Sequence, residues 1–113
     1  MLRVVCLCAE WCSACRAWRP EWDAIAARYP QLQWQWLDIE DEVDLMDEVG
    51  LDIETFPTVL IARGDRALFL SAIPPQPAFL DNLIARLSPE GAAPQGVTPE
   101  AVALARRLAA RGG

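Results

Sequence analysis

Lysine and histidine are both absent from this chain of 113 residues, and all ten of its positive charges are arginines. Sixteen acidic residues give a formal net charge of −6, which argues against nucleic acid and anionic membrane surfaces as partners. No apolar run is long enough to cross a membrane, and neither a low-complexity tract nor an internal repeat is visible. These absences favour a folded domain over a membrane, nucleic-acid-binding or repeat protein.

The size of the chain favours one domain with a sizeable core. A length of 113 residues suits a single domain, and 53% of the residues are apolar. The apolar run from Val4 to Ala9 follows Arg3 and faintly resembles a signal peptide, but it is too short for one. We therefore expect a cytoplasmic protein in which thiols outside any redox-active pair are reduced at rest.

The acidic residues are concentrated rather than spread. Nine of them lie between Asp38 and Glu54, a stretch that contains no basic residue. A docking patch is one interpretation of such a run. The solvated face of a helix is the more common interpretation, and it is the one that we favour.

Cysteine is present four times, and two of the four form a Trp-Cys-x-x-Cys motif at Trp11–Cys15. The motif joins an apolar run to a helical pattern, which in a cytosolic chain is a redox signature. Cys12 at the helix start would meet unpaired backbone N–H groups and the positive end of the helix dipole, and both favour the thiolate. Cys12 is therefore the predicted nucleophile, and Cys15, one turn further on, is the predicted resolving cysteine.

Simple burial and zinc binding are the alternatives to redox chemistry at this motif. Burial as hydrophobes fits poorly, because Glu10, Ser13 and Arg16 surround the pair with polar positions. A zinc site is the more serious alternative, since Cys6 and Cys8 lie just upstream and complete a four-cysteine set. We favour redox chemistry and predict no metal.

Hydrophobic periodicity divides the chain into strands and helices. Strands are predicted at residues 3–8, 32–37, 58–62 and 67–71, and helices at about 13–29, at 41–49 and after Pro77. The first helix has an apolar stripe of Trp18, Trp22, Ile25 and Tyr29. Pro20 is expected to kink this helix. In the acidic helix the predicted inward residues are Val43, Met46 and Val49. A right-handed crossover implies that the first two strands pair in parallel.

The end of the chain is predicted to add a helix to the domain. Residues 88–97 are rich in proline, glycine and alanine, and they indicate a linker between a domain at 1–87 and a helical extension at 98–113. Thr98 suits the N-cap and Pro99 the first helical position. We expect the helix to dock through a stripe of Ala101, Leu104, Ala105 and Leu108.

Residues 3–87 resemble the thioredoxin family. Trp11–Cys15 is similar to its active-site motif, with Ser-Ala between the cysteines in place of the usual Gly-Pro, and Pro20 is similar to its helix-kinking proline. Thr55-Phe56-Pro57-Thr58 resembles its cis-proline loop. The resemblance implies a thioredoxin-like α/β three-layer sandwich, with a mixed four-stranded sheet flanked by helices and, here, an extra C-terminal helix.

The resemblance also implies a substrate site. The Phe56–Pro57 bond would be cis, and the backbone before Pro57 would pair with an extended substrate segment. Trp11, Phe56 and Ile73 would line the docking surface around Pro57.

Three departures from the family pattern bear on function. The usual first strand and helix are missing, so the Leu32–Leu37 strand becomes a sheet edge that the terminal helix or a second copy of the chain, in a homodimer, could cover. The family's buried acid aligns with Cys6 and a nearby basic residue with Trp36, so both are candidate modulating residues. The linker and terminal helix have no counterpart in a minimal thioredoxin.

The sequence therefore predicts a thiol–disulfide oxidoreductase that acts on protein disulfides through Cys12 and Cys15. The alternative is a thioredoxin-fold binding or adaptor module with little turnover, which the missing acid, the acidic stretch and the extra helix favour. No cofactor is predicted. The expected partners are proteins with disulfides and an unidentified dithiol reductase or oxidant, with neither nucleic acid nor membrane among them.

Overall fold

The computed structural model describes residues 2–111 and contains four strands and four helices within that range. In chain order the elements are β1 (Leu2–Cys8), α1 (Ser13–Arg28), β2 (Gln33–Asp38), α2 (Val43–Val49), β3 (Thr58–Arg63), β4 (Arg66–Ala72), α3 (Pro77–Leu87) and α4 (Pro99–Ala110). Met1, Gly112 and Gly113, the ends of the predicted domain and extension, lie outside the described residues. Within residues 2–111, no helix is long and apolar enough to span a membrane.

The strands form one mixed sheet in the order β2-β1-β3-β4. β1 pairs in parallel with β2, as the crossover through α1 requires, and antiparallel with β3, which forms a hairpin with β4. The predicted fold class is confirmed by this topology and by the helices on both sides of the sheet. β2 lies at the sheet edge, as expected.

The two faces of the sheet pack against different helices. Every residue of β1 is buried, and alternate side chains enter opposite cores. The α1 face carries Val4, Cys6 and Cys8 and packs against α1 and α3. The α4 face carries Val5 and Leu7 and packs against α2 and α4. The thiols of β1 therefore lie beneath the helix that begins at the active-site motif.

The terminal helix α4 docks on the sheet through the predicted stripe. Ala101, Leu104, Ala105 and Leu108 are each 0% exposed. The helix begins as predicted, because the backbone N–H of Ala101 donates to Thr98 Oγ1 at 3.2 Å. Arg107 and Arg111 form ion pairs with Glu48 and Glu42 at the side of α2. α4 thus shares a core with the sheet.

The linker before α4 also contacts the sheet. The backbone N–H of Gln95 donates to the carbonyl of Leu68 at 2.7 Å, and Gln95 forms an isolated parallel bridge with Phe69. Gly96 then takes a φ of 65°, which suits glycine, and the chain turns into α4. These contacts place the start of α4 beside β4.

Tryptophans cover the α1 face of the edge strand. The ring centroid of Trp22 lies 5.2 Å from that of Trp34 and 6.0 Å from that of Trp36, both in edge-to-face geometry. Trp34 Nε1 donates to the carbonyl of Tyr29 at 2.9 Å. Because α1 and β2 share this aromatic contact, the two edge-strand tryptophans are only partly exposed.

The acidic helix differs from its prediction. α2 begins at Val43, and the predicted inward position of Val43 was wrong, since this residue is 50% exposed. Leu45 is buried in its place, together with Met46 and Val49. Residues 41–42 form a turn instead of helix, so α2 begins two residues later than predicted.

Candidate active site

The four cysteines gather where β1 passes into α1. β1 ends at Cys8, and Cys12 is the N-cap of α1. The Cys12 N–H donates to the carbonyl of Ala9 at 3.0 Å, and the Cys12 carbonyl accepts from the N–H of Arg16 at 3.1 Å. This tight turn leaves Cys12 partly exposed at the start of the helix, while Cys15 is 1% exposed.

The disulfide in the structure joins Cys8 to Cys15. The sequence predicted a Cys12–Cys15 couple with Cys8 reduced, so the structure differs from that expectation: Cys12 is a free thiol. The physical reason is the packing of the strand end against the helix. Cys8 points to the α1 face, and its Cα lies 5.9 Å from that of Cys15, within the usual span of about 4.4–6.8 Å for disulfides.

Cys6 is a buried free thiol beneath the site. It is 0% exposed, and its Sγ lies 3.7 Å from that of Cys8. Burial raises the pKa of Cys6 to about 12, and the Trp18 indole and the charge of Arg19 oppose that rise only in part. Cys6 is therefore protonated at neutral pH and does not replace a carboxylate as a base.

The cysteine cluster does not have the arrangement of a metal centre. Cys8 and Cys15 are consumed by their disulfide, and a metal ligand must be a thiolate. Among residues 2–111, no group of three or more cysteine, aspartate or glutamate side chains is placed to hold a metal ion.

A cis-proline loop lies beside the motif. The Phe56–Pro57 bond is cis, the isomer that the family resemblance implies. Thr58 Oγ1 donates to the carbonyl of Thr55 at 2.6 Å, which closes the loop on itself. Phe56 meets Trp11 edge to face, with ring centroids 5.6 Å apart. Trp11 is 63% exposed, so the two rings form an accessible aromatic wall next to Cys12.

Ile73 does not belong to that wall. Its predicted place on the docking surface was wrong, because the side chain is 5% exposed and packs in the core of the α1 face. Its backbone has a different role, since the N–H of Ile73 donates to the carbonyl of Pro57 at 3.0 Å. Ile73 thus holds the cis-proline loop from behind.

A charged cavity of about 370 Å³ opens beside Cys15. Its charged lining residues are Glu10, Arg16, Arg19, Asp38 and Asp41. Trp36 forms part of the wall, and the Arg19 guanidinium carbon lies 4.5 Å from the centroid of its ring. The Arg19 cation thus lies against Trp36, the residue that aligns with the basic residue of the family.

Sequence reasoning missed this cavity, although a signal was available. Cys8 and Asp38 end the parallel strands β1 and β2 and are register partners. Ligand sites form at the carboxyl ends of adjacent parallel strands, so Asp38 could have been placed near the motif. Arg16 and Arg19, three apart on α1, lie on one side of the helix.

The site thus brings together a free cysteine at a helix start, a buried cysteine one turn on and the Phe56–Pro57 loop. The thioredoxin family matches residues 1–75, more than half of the chain. The chain therefore belongs to the thioredoxin family, which confirms the resemblance.

Individual proteins that resemble this chain include a disulfide bond formation protein and thioredoxins. A disulfide bond formation protein of Brevibacillus choshinensis is 31% identical over 61 residues, which cover 54% of this chain and 52% of the relative. This chain thus spans about half the length of that curated relative. The germline-specific thioredoxin Deadhead of Drosophila melanogaster superposes with a TM-score of 0.66 at 23% identity, over 76% of this chain and 80% of the other.

A second solved structure, the thioredoxin of Fasciola hepatica, has a TM-score of 0.65 at 21% identity and covers 75% of this chain and 79% of its own. At these identities the structural likeness establishes the fold.

Proposed function

We propose that this protein exchanges thiols and disulfides with protein substrates through Cys12 and Cys15. The observation that carries the proposal is Cys12 itself. It is a free, partly exposed thiol at the N-terminus of α1, beside the Trp11–Phe56 wall. Exchange begins with attack by a thiolate, and Cys12 is a free thiol that a substrate disulfide can reach.

The reaction has two steps, and its electrons balance between protein and substrate. The Cys12 thiolate attacks one sulfur of a substrate disulfide, which forms a mixed disulfide and releases the other substrate sulfur as a thiolate. Cys15, when reduced, then attacks Cys12 Sγ, loses its proton and releases the second substrate thiol. The substrate gains two electrons, the Cys12–Cys15 pair loses them, and an external dithiol restores the pair.

The cis-proline loop is the proposed docking site for the substrate chain. Its backbone before Pro57 is offered to an extended segment, which would add as a short strand. Trp11 and Phe56, whose rings contact each other, provide one apolar wall beside that segment. The cytoplasmic location remains a prediction from sequence.

One observation favours a second candidate, a binding module with little turnover. Cys15 is bonded to Cys8 in the structure, so it is unavailable to resolve a mixed disulfide at Cys12. A protein held in this form would retain a partner through Cys12 without releasing it. The two candidates therefore differ in turnover.

Insulin reduction with dithiothreitol as the electron donor tests the proposal. The wild-type protein should accelerate the precipitation of insulin chains, and Cys12→Ser should fall to the uncatalysed background. Ser13→Ala, which alters the motif without removing a thiol, is the matched control and should retain activity. Wild-type protein at background would reject the oxidoreductase and favour the binding module.

A further inference from the structure

We propose that Cys8 is a second redox partner of Cys15, so that a disulfide formed at the surface between Cys12 and Cys15 passes inward to Cys8 and Cys15. This inference rests on the proposed function and adds a third reacting residue to the same site. It assigns a role to a cysteine outside the Cys-x-x-Cys motif. Cys12 would regain its free thiol while the protein remains oxidised.

The geometry places Cys15 between two partners. Cys8 ends β1 beneath the first turn of α1, and its bond to Cys15 is accommodated at a Cα separation of 5.9 Å. Cys12 lies three residues before Cys15, where side chains share one side of a helical turn. Cys15 is thus within reach of an exposed thiol on one side and a buried thiol on the other.

The inward transfer is a thiol–disulfide exchange without net oxidation. Cys8 Sγ attacks Cys15 Sγ in the Cys12–Cys15 disulfide, forms the Cys8–Cys15 bond and breaks the Cys12–Cys15 bond. Cys8 gives up its proton, and the leaving Cys12 sulfur takes one up or remains a thiolate exposed to solvent. No further oxidant is needed, because the substrate disulfide has already supplied the oxidising equivalent.

Burial supports the inward direction. Cys8 and Cys15 are each 1% exposed, whereas Cys12 is partly exposed. A thiolate is costly in an apolar core and less costly at a wet helix start. The exchange therefore leaves the bond inside and the ionisable thiol outside. The cavity lined by Cys15 is the side from which an external thiol would approach the bond to reduce it.

Cys6 is the natural comparison for Cys8. Both cysteines lie on the α1 face, and their sulfurs are 3.7 Å apart. Cys6 lies two residues before Cys8 on β1, and it is a free and fully buried thiol. The proposed exchange consequently uses Cys8, and Cys6 serves as a packing residue beneath it.

The inward transfer has a functional consequence. With Cys15 bonded to Cys8, Cys12 still forms mixed disulfides, but Cys15 cannot resolve them. Release then requires an external thiol or reduction of the Cys8–Cys15 bond. One protein would thus pass from a two-cysteine to a one-cysteine mode as its surroundings become more oxidising.

Peptide mapping of the intact protein tests the inference directly. The protein is equilibrated in buffers with varied ratios of reduced to oxidised glutathione, quenched with acid and alkylated with N-ethylmaleimide. Trypsin cleaves after Arg3 and Arg16, and an endoprotease specific for glutamate cleaves after Glu10, which yields fragments 4–10 and 11–16. A Cys8–Cys15 bond links these fragments, whereas a Cys12–Cys15 bond closes a loop within fragment 11–16.

The expected result is that linked fragments are the larger part of the oxidised protein and that Cys12 in them is alkylated. Cys12→Ser should still form the linked species, and Cys8→Ala should lose it. Cys6→Ala is the matched control for Cys8→Ala. Fragment 4–10 contains both cysteines, so a link that is retained in Cys6→Ala must be formed by Cys8. Oxidised wild-type protein that contains only the loop would overturn the inference, as would loss of the link in Cys6→Ala.

Peptide mapping and the insulin assay give independent results, so this inference and the proposed function can be rejected separately. Insulin reduction by a protein that contains only the loop would reject the role of Cys8 and keep the oxidoreductase. Linked fragments without insulin reduction would reject the oxidoreductase and keep the Cys8–Cys15 pairing. The main result comes from wild-type protein, so it does not depend on whether any variant folds.

Discussion

The two faces of the sheet differ in what their side chains can do. The α1 face holds the cysteines, with Trp18 and Trp22 packed around them. The α4 face is built from aliphatic residues and Met46. Both faces bury β1 completely, so the difference is one of chemistry rather than of packing. One face provides the reacting groups, and the other holds the strand that positions them.

Of the changes that separate the two faces, removal of α4 should have the largest effect on the free energy of unfolding. Deletion of residues 88–113 would uncover the α4 face and remove the four fully buried residues of the helix stripe. At about 1–2 kcal/mol for each buried aliphatic side chain, the free energy of unfolding should fall by several kcal/mol. Urea denaturation followed by circular dichroism measures the change, and an unchanged midpoint and oligomeric state would contradict the docking of α4.

A single cavity on the α4 face should lower the free energy of unfolding by less than the deletion of α4. Leu104 is 0% exposed, and Leu104→Ala should lower the free energy of unfolding by about 2–5 kcal/mol. Insulin reduction by the remaining folded protein should be nearly unchanged, because Leu104 lies across the sheet from Cys12. Arg106→Ala, on the exposed side of the same helix, is the control. Loss of activity at full folding would contradict the division between the two faces.

The buried Cys6 thiol makes the stability of the protein depend on pH. Its pKa is raised from 9.0 to about 12 by burial, so above pH 9 the unfolded chain loses this proton before the folded protein does. The stabilisation is fully present below pH 9 and is lost as the pH rises towards 12, by about 1.4 kcal/mol for each pH unit.

Chemical denaturation of wild type and Cys6→Ala across this range isolates the effect, because all other titrating groups are shared. Wild type should lose stability relative to Cys6→Ala as the pH rises. A constant difference between the two proteins would show that Cys6 is not desolvated.

The smallest effect on stability is expected at the aromatic wall. Trp11 is 63% exposed, and Trp11→Ala should change the free energy of unfolding by no more than about 0.5 kcal/mol. The KM for insulin should rise while kcat is largely retained, since the ring contacts Phe56 and not the sulfurs. Val43→Ala, at an exposed apolar residue on α2, is the control for loss of surface hydrophobicity. An unchanged KM would remove Trp11 from the docking surface.

Local sequence patterns predicted most of the elements and failed where orientation depended on neighbours. The stripe of α1 buries Trp18, Trp22 and Ile25 as expected, because helical periodicity alone places them on one side. Val43 and Ile73 were assigned wrongly. The side of α2 that faces the core depends on how this short helix packs, and the exposure of Ile73 depends on how the chain leaves β4.

Alternation, capping and spacing along the chain are enough to predict the strand-to-helix motif, the cap of α4 and the side of β1 on which Cys6 and Cys8 lie. The choice of the thiol that meets Cys15 depends instead on packing in the folded protein. Cys8 is seven residues away along the chain and 5.9 Å away between Cα atoms, and this proximity arises because α1 folds back over the end of β1. Spacing in sequence favours Cys12 as the partner of Cys15, while packing brings Cys8 into contact with it.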